Sequence, residues 1–383
     1  MSIARSCPIC EHTLTTLVHN NTMASIDGID MSYVLSQCNQ CGFHFANELP
    51  DNAEYLRYYS ELSKYDSQLS VSAVDRRRTD AAVNLLSRTI PKDARIVDVG
   101  CGFGVMLAAL RDAGYTDLGG VDPAPQSARQ ASKQFGLHGI YQGTLAEAGE
   151  AVNLAETDLV CLMCVLEHLP ALGQDIKKLI DQLSPGSKIL VEVPAIDLFD
   201  GTGGEPFGEL SLEHIQYFSL KSMKNLLKSL GLTILDSELL HIPSLHSGAL
   251  FMLAEVGGDK QVIETDNQSK MKDYLKASAV RWSAALKHIP DKPFVLYGTG
   301  SHSARLLPQL TDKQRQNLVA VLDGNFNLHG KSFGGWVVEP PEALAKYSDF
   351  PVLISSYRSE KLIAEALKIQ FPDQPLQLMY DDV

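Results

Sequence analysis

The chain has 383 residues, of which 45% are hydrophobic and 21% charged, and its formal net charge at pH 7 is −13. This length predicts two or three domains, and the acidic balance argues against a protein that binds nucleic-acid phosphates. No apolar run reaches the roughly 20 residues that a membrane-spanning helix needs, and no signal-peptide pattern opens the chain. We therefore expect a cytoplasmic globular protein with neither a nucleic-acid nor a membrane partner.

Two Cys-x-x-Cys pairs come first along the chain: Cys7 with Cys10, and Cys38 with Cys41. Each pair forms a tight turn that presents two thiolates to one ion, and two such turns complete a tetrahedral zinc site. An inserted hairpin would account for the 27 residues between the pairs. Because neither turn contains a His or an acid that would complete an open site, we expect a structural zinc ion. Four reduced thiols without a metal are the alternative.

A tyrosine-rich stretch around Tyr59 follows the cysteines. We therefore assign residues 1–70 to a zinc-binding module with a tyrosine-rich linker. A helix over residues 74–86 then begins the next unit. The basic run Arg76–Arg78 within this helix is typical of a solvated helix face rather than of a nucleic-acid site.

The run Ile96–Gly104, which reads Ile-Val-Asp-Val-Gly-Cys-Gly-Phe-Gly, is the strongest signal in the chain. Its β-branched residues predict a buried strand, and a helix is predicted over residues 105–113. The three alternating glycines allow a sharp turn whose backbone approaches a ligand, because no Cβ intervenes; an ordinary α/β turn is the alternative. With an acid ahead of the first glycine, the run resembles motif I of the class I S-adenosylmethionine (SAM) methyltransferases. We expect the cofactor to contact Asp98, Gly100, Cys101, Gly102 and Gly104.

A second strand over residues 117–121 ends at Asp122, which lies 22 residues beyond Gly100. A carboxylate at the tip of this strand can accept hydrogen bonds from both ribose hydroxyls of a nucleoside. A simple Asp-Pro turn is the alternative interpretation. Pro123 beside it and Met163 on the fourth strand complete the expected cofactor site.

Five alternations of strand and helix predict a doubly wound parallel sheet, and an antiparallel pair of strands before residue 256 finishes it. This gives a methyltransferase core over residues 71–256. The remaining residues, 257–383, contain another strand and glycine turn, and Asp323 ends the next strand. We expect a second Rossmann-like domain there. An NAD site in it is the weaker interpretation, because Ser303 stands where a dinucleotide fingerprint has Gly or Ala.

The order of these parts resembles the sugar C-methyltransferase family, whose members act on nucleotide-activated keto-deoxysugars. The resemblance spans essentially the whole chain. It is carried by the four cysteines, the glycine motif, Glu167-His168, the segment from Ser211 to Phe218 and the second glycine turn. It implies a SAM-dependent enzyme, monomeric or homodimeric, with a nucleotide sugar as its small-molecule substrate.

In that family a Glu-His pair after the fifth strand supplies the catalytic base. Glu213 and His214 match the pair, but Ser211 stands where the family has a tyrosine. His214 is the candidate base, since a neutral imidazole is available near pH 7. His168 is a candidate donor to a substrate oxygen, and Tyr59 a candidate partner of an enolate oxygen. Purely structural roles for these residues are the alternatives.

These observations leave more than one function open. The first is methyl transfer from SAM to carbon next to the ketone of a nucleotide-activated sugar. The second is O- or N-methylation of another small metabolite or glycan precursor on the same scaffold. A third, of a different class, is an NAD-binding redox or sensor protein built on the C-terminal glycine turn.

Overall fold

The computed structural model describes residues 5–49, 54, 57, 71–211 and 213–380 of the chain. Tyr59 lies outside the described residues. Its expected role therefore stays a prediction.

The N-terminal part begins with a hairpin of two antiparallel strands and a third strand paired to it. The three strands are β1 (Thr15–Asn21), β2 (Tyr33–Cys38) and β3 (His44–Asn47). A register shift between Leu17 and His19 marks an irregularity in β1. The hairpin that we expected between the two cysteine pairs is confirmed.

The middle of the chain supplies eight further strands. They are β4 (Arg95–Val99), β5 (Asp117–Asp122), β6 (Ile140–Gln142), β7 (Leu159–Met163), β8 (Lys188–Pro194), β9 (Gln216–Tyr217), β10 (Leu232–Ile242) and β11 (Ser247–Val256). All except β9 form one seven-stranded sheet in the order β10-β11-β8-β7-β4-β5-β6. Strands β4 to β8 run parallel, and β11 is antiparallel to its neighbours β8 and β10.

Helices cover this sheet on both faces. They are α1 (Ala73–Leu86), α2 (Val105–Asp112), α3 (Ser127–Phe135), α4 (Ala148–Ala151), α5 (Leu172–Ile180) and α6 (Leu220–Ser229). Successive strand residues point to opposite faces, so Ile96 and Val97 enter two different apolar clusters. Both are fully or almost fully buried, as expected for a parallel sheet covered on both sides.

The strand order reverses between β4 and β7, which pair with each other at the centre of the sheet. In open α/β sheets such a reversal leaves a crevice at the carboxyl ends of the strands, and ligands bind there. The glycine turn follows β4 at this edge. The predicted doubly wound sheet is therefore present, and the predicted antiparallel pair, β10 and β11, finishes it.

The C-terminal part contains a second, six-stranded sheet in the order β14-β15-β13-β12-β16-β17. Its strands are β12 (Phe294–Tyr297), β13 (Leu318–Leu322), β14 (Ser332–Phe333), β15 (Trp336–Glu339), β16 (Val352–Ile354) and β17 (Leu376–Gln377). The helices are α7 (Lys270–Ala285), α8 (Ser301–Leu306), α9 (Asp312–Asn317) and α10 (Glu360–Gln370). All strand pairs except β14 with β15 are parallel.

The N-terminal strands are packed into the rest of the molecule. Strand β3 pairs with β9, which joins residues on either side of the predicted boundary at residue 70. One apolar cluster contains Leu35 of the N-terminal sheet together with Phe294 and Leu296 of the C-terminal sheet. Among the described residues no helix is both long and apolar enough to cross a bilayer.

Candidate active site at the carboxyl edge of the central sheet

The glycine turn after β4 has the left-handed backbone that its sequence predicts. Gly100, Gly102 and Gly104 have φ angles of 81°, 51° and 86°. A Cβ on Gly100 would lie 2.5 Å from Val165, and one on Gly104 would lie 2.7 Å from Leu137. A Cβ on Gly102 would meet nothing within 4 Å. The turn therefore packs tightly at its two ends and leaves open space at its middle glycine, where a ligand can approach the backbone.

Asp122 ends β5 beside this turn, as predicted. Its carboxylate accepts hydrogen bonds from the Gly102 backbone N–H at 2.7 Å and from the Ser127 hydroxyl at 2.7 Å. The Ala124 backbone N–H also donates to it at 2.9 Å. Oδ1 accepts two of these bonds and Oδ2 one, so a lone pair on Oδ2 can still accept from one hydroxyl of a ribose. Pro123, the next residue, is exposed at the rim.

Asp98 lies in β4 directly before the turn and is 1% exposed. Its Oδ1 has no hydrogen-bond partner within the described part of the chain. Burial, and then the nearby charges of Asp122 and Glu192, raise the pKa of Asp98 to about 8. A buried carboxylate without a partner is costly, so this position favours a ligand that brings a cationic group.

Arg76 and Arg77 are exposed, as expected of a solvated basic face on α1, but Arg78 departs from this expectation. Its guanidinium forms an ion pair with the buried Glu192 of β8, with one contact of 2.7 Å, and also donates to the Cys164 sulfur. Cys164 follows β7 and has a φ of 55°, which non-glycine residues rarely adopt. Sequence reasoning missed this cluster, although Glu192 is an isolated acid in the apolar run Lys188–Pro194.

The crevice has an acidic lining overall. Its buried carboxylates are Asp98, Asp122, Glu167 and Glu192. Arg78 is the cation that the structure pairs with one of them, Glu192. Such a lining favours a ligand that carries positive charge. Cys101 and Met163 contribute little to this polarity, because the Cys101 side chain packs into an apolar cluster below the turn and Met163 packs against a second one.

Two histidines meet at the same edge of the sheet. The rings of His168 and His214 have centroids 5.1 Å apart and stand at 66° to each other. The His168 Nδ1 lies 3.0 Å from the Glu213 carbonyl oxygen. A carbonyl only accepts, so Nδ1 carries the proton and a neutral His168 presents a lone pair at Nε2. It can therefore donate to a substrate oxygen, as we expected of it, only when it is protonated.

Ser211 has a structural role that the sequence did not show. Its hydroxyl oxygen accepts the backbone N–H groups of Glu213 at 3.3 Å and of His214 at 3.0 Å. The Tyr217 hydroxyl donates to the His214 carbonyl at 2.7 Å, and the Tyr33 hydroxyl lies 2.5 Å from that of Tyr217. The backbone that carries the predicted Glu-His pair is thus fixed by side chains on both sides.

Glu167 is next to His168 in the chain and is 1% exposed. Its Oε1 lies 3.8 Å from the His168 Nε2. Burial raises the pKa of its carboxyl group. Glu167, His168 and His214 therefore form one cluster, and the glycine turn contacts the same segment through Val165. The structure brings the predicted cofactor residues and the predicted histidines to a single edge.

The four cysteines of the N-terminal pairs converge separately from this crevice. The sulfurs of Cys7 and Cys41 are 3.6 Å apart, and those of Cys10 and Cys38 are 3.5 Å apart. All four lie within 4.8 Å of one another, and none forms a disulfide. Ligand sulfurs around a tetrahedral zinc ion, at about 2.3 Å from the metal, are about 3.8 Å apart. The cluster fits such an ion.

The second glycine turn repeats the arrangement of the first. Gly298 has a φ of 105°, and the Asp323 carboxylate accepts from the Thr299 backbone N–H at 2.6 Å and from its hydroxyl at 2.7 Å. The Asn325 backbone N–H donates to the other oxygen at 2.7 Å. These bonds stabilise the turn itself. An NAD site here stays a prediction.

Comparison with known proteins identifies the class of the central domain. Residues 71–237 match a family model described as a methyltransferase domain. The C-methyltransferase NovU of Streptomyces niveus is 30% identical over 161 residues, which are 42% of this chain and 37% of that protein. A ubiquinone biosynthesis O-methyltransferase of Azorhizobium caulinodans is 34% identical over 107 residues, which are 26% of this chain and 40% of that protein. The chain thus spans less than half the length of these curated relatives.

Solved structures give a more distant similarity. Magnesium protoporphyrin IX methyltransferase (ChlM) of Synechocystis PCC 6803, crystallised with bound SAM, is 16% identical with a TM-score of 0.40. The match covers 55% of this chain and 100% of that one. The family match and the sheet order define residues 71–237 as a SAM-dependent methyltransferase domain with the class I α/β fold.

Proposed function

We propose that the protein transfers a methyl group from SAM to a nucleotide-activated sugar, at a carbon next to a ketone. Carbon as the acceptor is supported by the similarity to a protein named as a C-methyltransferase. The choice of a nucleotide-activated sugar as the acceptor rests on the sequence motifs, whose order resembles that of the sugar C-methyltransferase family. The observation that carries the proposal is the pair His168 and His214 at the crevice edge, beside the glycine turn.

The residues of the crevice fit SAM. The unpartnered Asp98 carboxylate suits the ammonium group of its methionine part, and the open space at Gly102 admits the ligand to the backbone. Asp122 is placed to bind the ribose. When bound, SAM supplies a methyl group on a cationic sulfur, which keeps the bonding electron pair as the methyl leaves.

The histidines perform the proton chemistry that carbon methylation needs. In the proposed reaction His214 removes the proton from the carbon next to the ketone, and the electrons of that C–H bond form the enolate that is then methylated. The proton removed from carbon stays on His214, and His168, after it has taken up a proton from water at Nε2, donates a hydrogen bond to the enolate oxygen. The Ser211 and Tyr217 hydrogen bonds hold the His214 backbone in place, which keeps the base aligned with the substrate carbon.

We also infer that the cluster of Cys7, Cys10, Cys38 and Cys41 holds a structural zinc ion. All four positions of a tetrahedral ion would be filled by sulfur, so no position is left for a substrate. In this assignment residues 1–70 form the zinc-binding part, 71–256 the methyltransferase core and 257–383 a Rossmann-like domain. We expect a cytoplasmic enzyme that works as a monomer or a homodimer.

Deuterium exchange tests the enolate route directly. Wild-type protein is incubated in D₂O with SAH, the demethylated product of SAM, and a panel of nucleotide keto-sugars, and mass spectrometry follows uptake of deuterium at carbon. We expect exchange in the wild type and its loss in His214→Gln, while calorimetry shows unchanged SAH binding. Asp117→Asn, an exposed change at the opposite end of β5, is the control and should exchange normally. Exchange at the wild-type rate in His214→Gln would contradict the role of this base.

Methyl transfer to oxygen is the second candidate. It is favoured by the similarity to a ubiquinone biosynthesis O-methyltransferase and by Ser211, which stands where the resembled family has a tyrosine. An O-methyl product forms without a carbon-bound proton being lost. A labelled methyl product that appears with no deuterium exchange would therefore select this alternative.

A further inference from the structure

Arg5 connects three separate segments of the chain. Its Nε donates to the Ala46 carbonyl at 2.8 Å, its Nη1 to the Pro170 carbonyl at 2.7 Å and its Nη2 to the Ile215 carbonyl at 3.4 Å. Its own backbone N–H donates to the Asn47 side chain at 2.8 Å. A guanidinium has five N–H donors in one plane, so it can bridge three carbonyls in a way that no other side chain can.

Two of these carbonyls belong to the segments that carry the candidate catalytic histidines. Pro170 lies two residues after His168, and Ile215 directly follows His214. The Ile215 backbone N–H also donates to the Glu167 carbonyl at 2.9 Å. The Gln216 Nε2 donates to the Leu169 carbonyl at 2.7 Å. Arg5 therefore adds a further connection between the two segments whose separation sets the distance between the histidine rings.

Arg5 itself is anchored by the N-terminal sheet. Its guanidinium carbon lies 5.3 Å from the centroid of the Phe45 ring, and Phe45 pairs with Gln216 where β3 meets β9. The Ala46 backbone N–H donates to the Ile215 carbonyl at 2.8 Å, the same oxygen that Arg5 contacts. Because Arg5 is hydrogen-bonded to β3, which is itself paired with β9, its guanidinium is held in one position relative to the two histidine-bearing segments.

We propose that Arg5 is a positioning residue, which fixes the spacing and the tautomer of the His168–His214 pair. The bond from His168 Nδ1 to the Glu213 carbonyl joins the same two segments, so it lengthens if they separate. Without that bond the ring no longer prefers the Nδ1–H tautomer, and part of the population carries the proton at Nε2 instead. The effect of Arg5 on catalysis rests on the proposed function, whereas its effect on the spacing of the rings and on the His168 tautomer does not.

Nitrogen NMR of the histidine rings tests the proposal without any acceptor substrate. The protein contains 11 histidines, and a His168→Gln variant assigns the signal of interest in ¹⁵N-histidine-labelled protein. We expect the Nδ1–H tautomer of His168 in the wild type and a mixture of tautomers in both Arg5→Met and Arg5→Lys. The lysine variant keeps the positive charge but offers a single nitrogen to three carbonyls. Arg88→Met, which removes a half-exposed arginine that follows α1, should leave the His168 signal unchanged.

Kinetics give the second measurement once an acceptor is known. We expect kcat to fall about 10²-fold in both Arg5 variants, because a displacement of about 1 Å at a catalytic group has that effect. SAH affinity and the KM for SAM should stay within about twofold of the wild type, since Arg5 contacts neither Asp98 nor the glycine turn.

Three results would overturn the proposal. The first is a wild-type His168 without a dominant Nδ1–H tautomer. The second is an unchanged tautomer in both Arg5 variants. The third is loss of cooperative unfolding in both variants, which would make Arg5 a residue needed for the fold as a whole. A failure to find any methyl transfer would leave these NMR outcomes intact and would count against the proposed function alone.

Discussion

Replacement of Asp98 by Asn should raise the stability of the cofactor-free protein at pH 8 and lower its affinity for the cofactor. Asp98 is buried beneath the glycine turn, and its Oδ1 has no partner in the described part of the chain. Burial, followed by the charges of Asp122 and Glu192, raises the pKa of this carboxyl group from 3.8 to about 8. Between about pH 4 and about pH 8, Asp98 of the folded protein therefore keeps a proton that the same carboxyl group has lost in the unfolded chain.

The sign of the effect follows from this difference. As pH rises from about 4 to about 8, the unfolded state is favoured progressively, so the wild type loses stability through this window. At about 1.4 kcal/mol per pKa unit, the loss at pH 8 is on the order of 5 kcal/mol. An asparagine removes the titration but leaves a buried amide that costs about 1–3 kcal/mol. The cofactor-free variant should thus be more stable than the wild type at pH 8, by about 2–4 kcal/mol, and not near pH 4.

Cofactor affinity should change in the opposite direction. The variant loses a charge-assisted hydrogen bond worth about 1.5–3 kcal/mol, so SAH should bind at least about tenfold more weakly. Urea unfolding of the cofactor-free protein at several pH values gives the first quantity and calorimetry the second. Asp117→Asn, an exposed change on the same strand pair, serves as the control and should alter neither. A variant that is less stable at pH 8, or a stability difference that does not depend on pH, would refute the reasoning.

Three further changes test other parts of the structure. Gly102→Ala should fold with a modest loss of stability, because its φ of 51° disfavours a side chain although its Cβ meets open space, and it should lose SAH binding in calorimetry. Gly100→Ala should lower the urea midpoint further, because its Cβ would also clash with Val165. Cys38→Ser should lower the zinc content measured by mass spectrometry of the native protein and also its thermal stability, whereas a full complement of zinc in this variant would exclude the four-sulfur site. SAH binding at pH 7 should release roughly half a proton to one proton per ligand, since Asp98 must ionise to hold an ammonium group. Calorimetry in two buffers of different ionisation enthalpy measures this release, and zero release would argue against that contact.

Local patterns in the sequence predicted the elements of the central sheet well. The helix predicted over residues 105–113 forms α2 (Val105–Asp112), and the strand predicted over residues 117–121 forms β5 (Asp117–Asp122). The turn after β4 was predictable because alternating glycines between a strand and a helix have few other uses. These features depend on residues that are neighbours in the chain.

The contacts that complete the site depend on residues far apart in the chain. Arg78 pairs with Glu192, 114 positions away, so its basic run gave no sign that one of its members is buried. Arg5 reaches Pro170 over 165 positions. The tautomer of His168 follows from its contact with the Glu213 carbonyl. No local pattern specifies which backbone group a side chain meets, so these features required the three-dimensional structure.

The most direct test of the account is methyl transfer itself. The protein is incubated with SAM carrying a labelled methyl group and with a panel of nucleotide keto-sugars, and mass spectrometry locates the label in the products. The proposed function predicts one labelled methyl group on a carbon next to the ketone of one sugar, and no product with His214→Ala. A full-length wild-type protein that binds no SAM and labels no member of the panel would contradict the account.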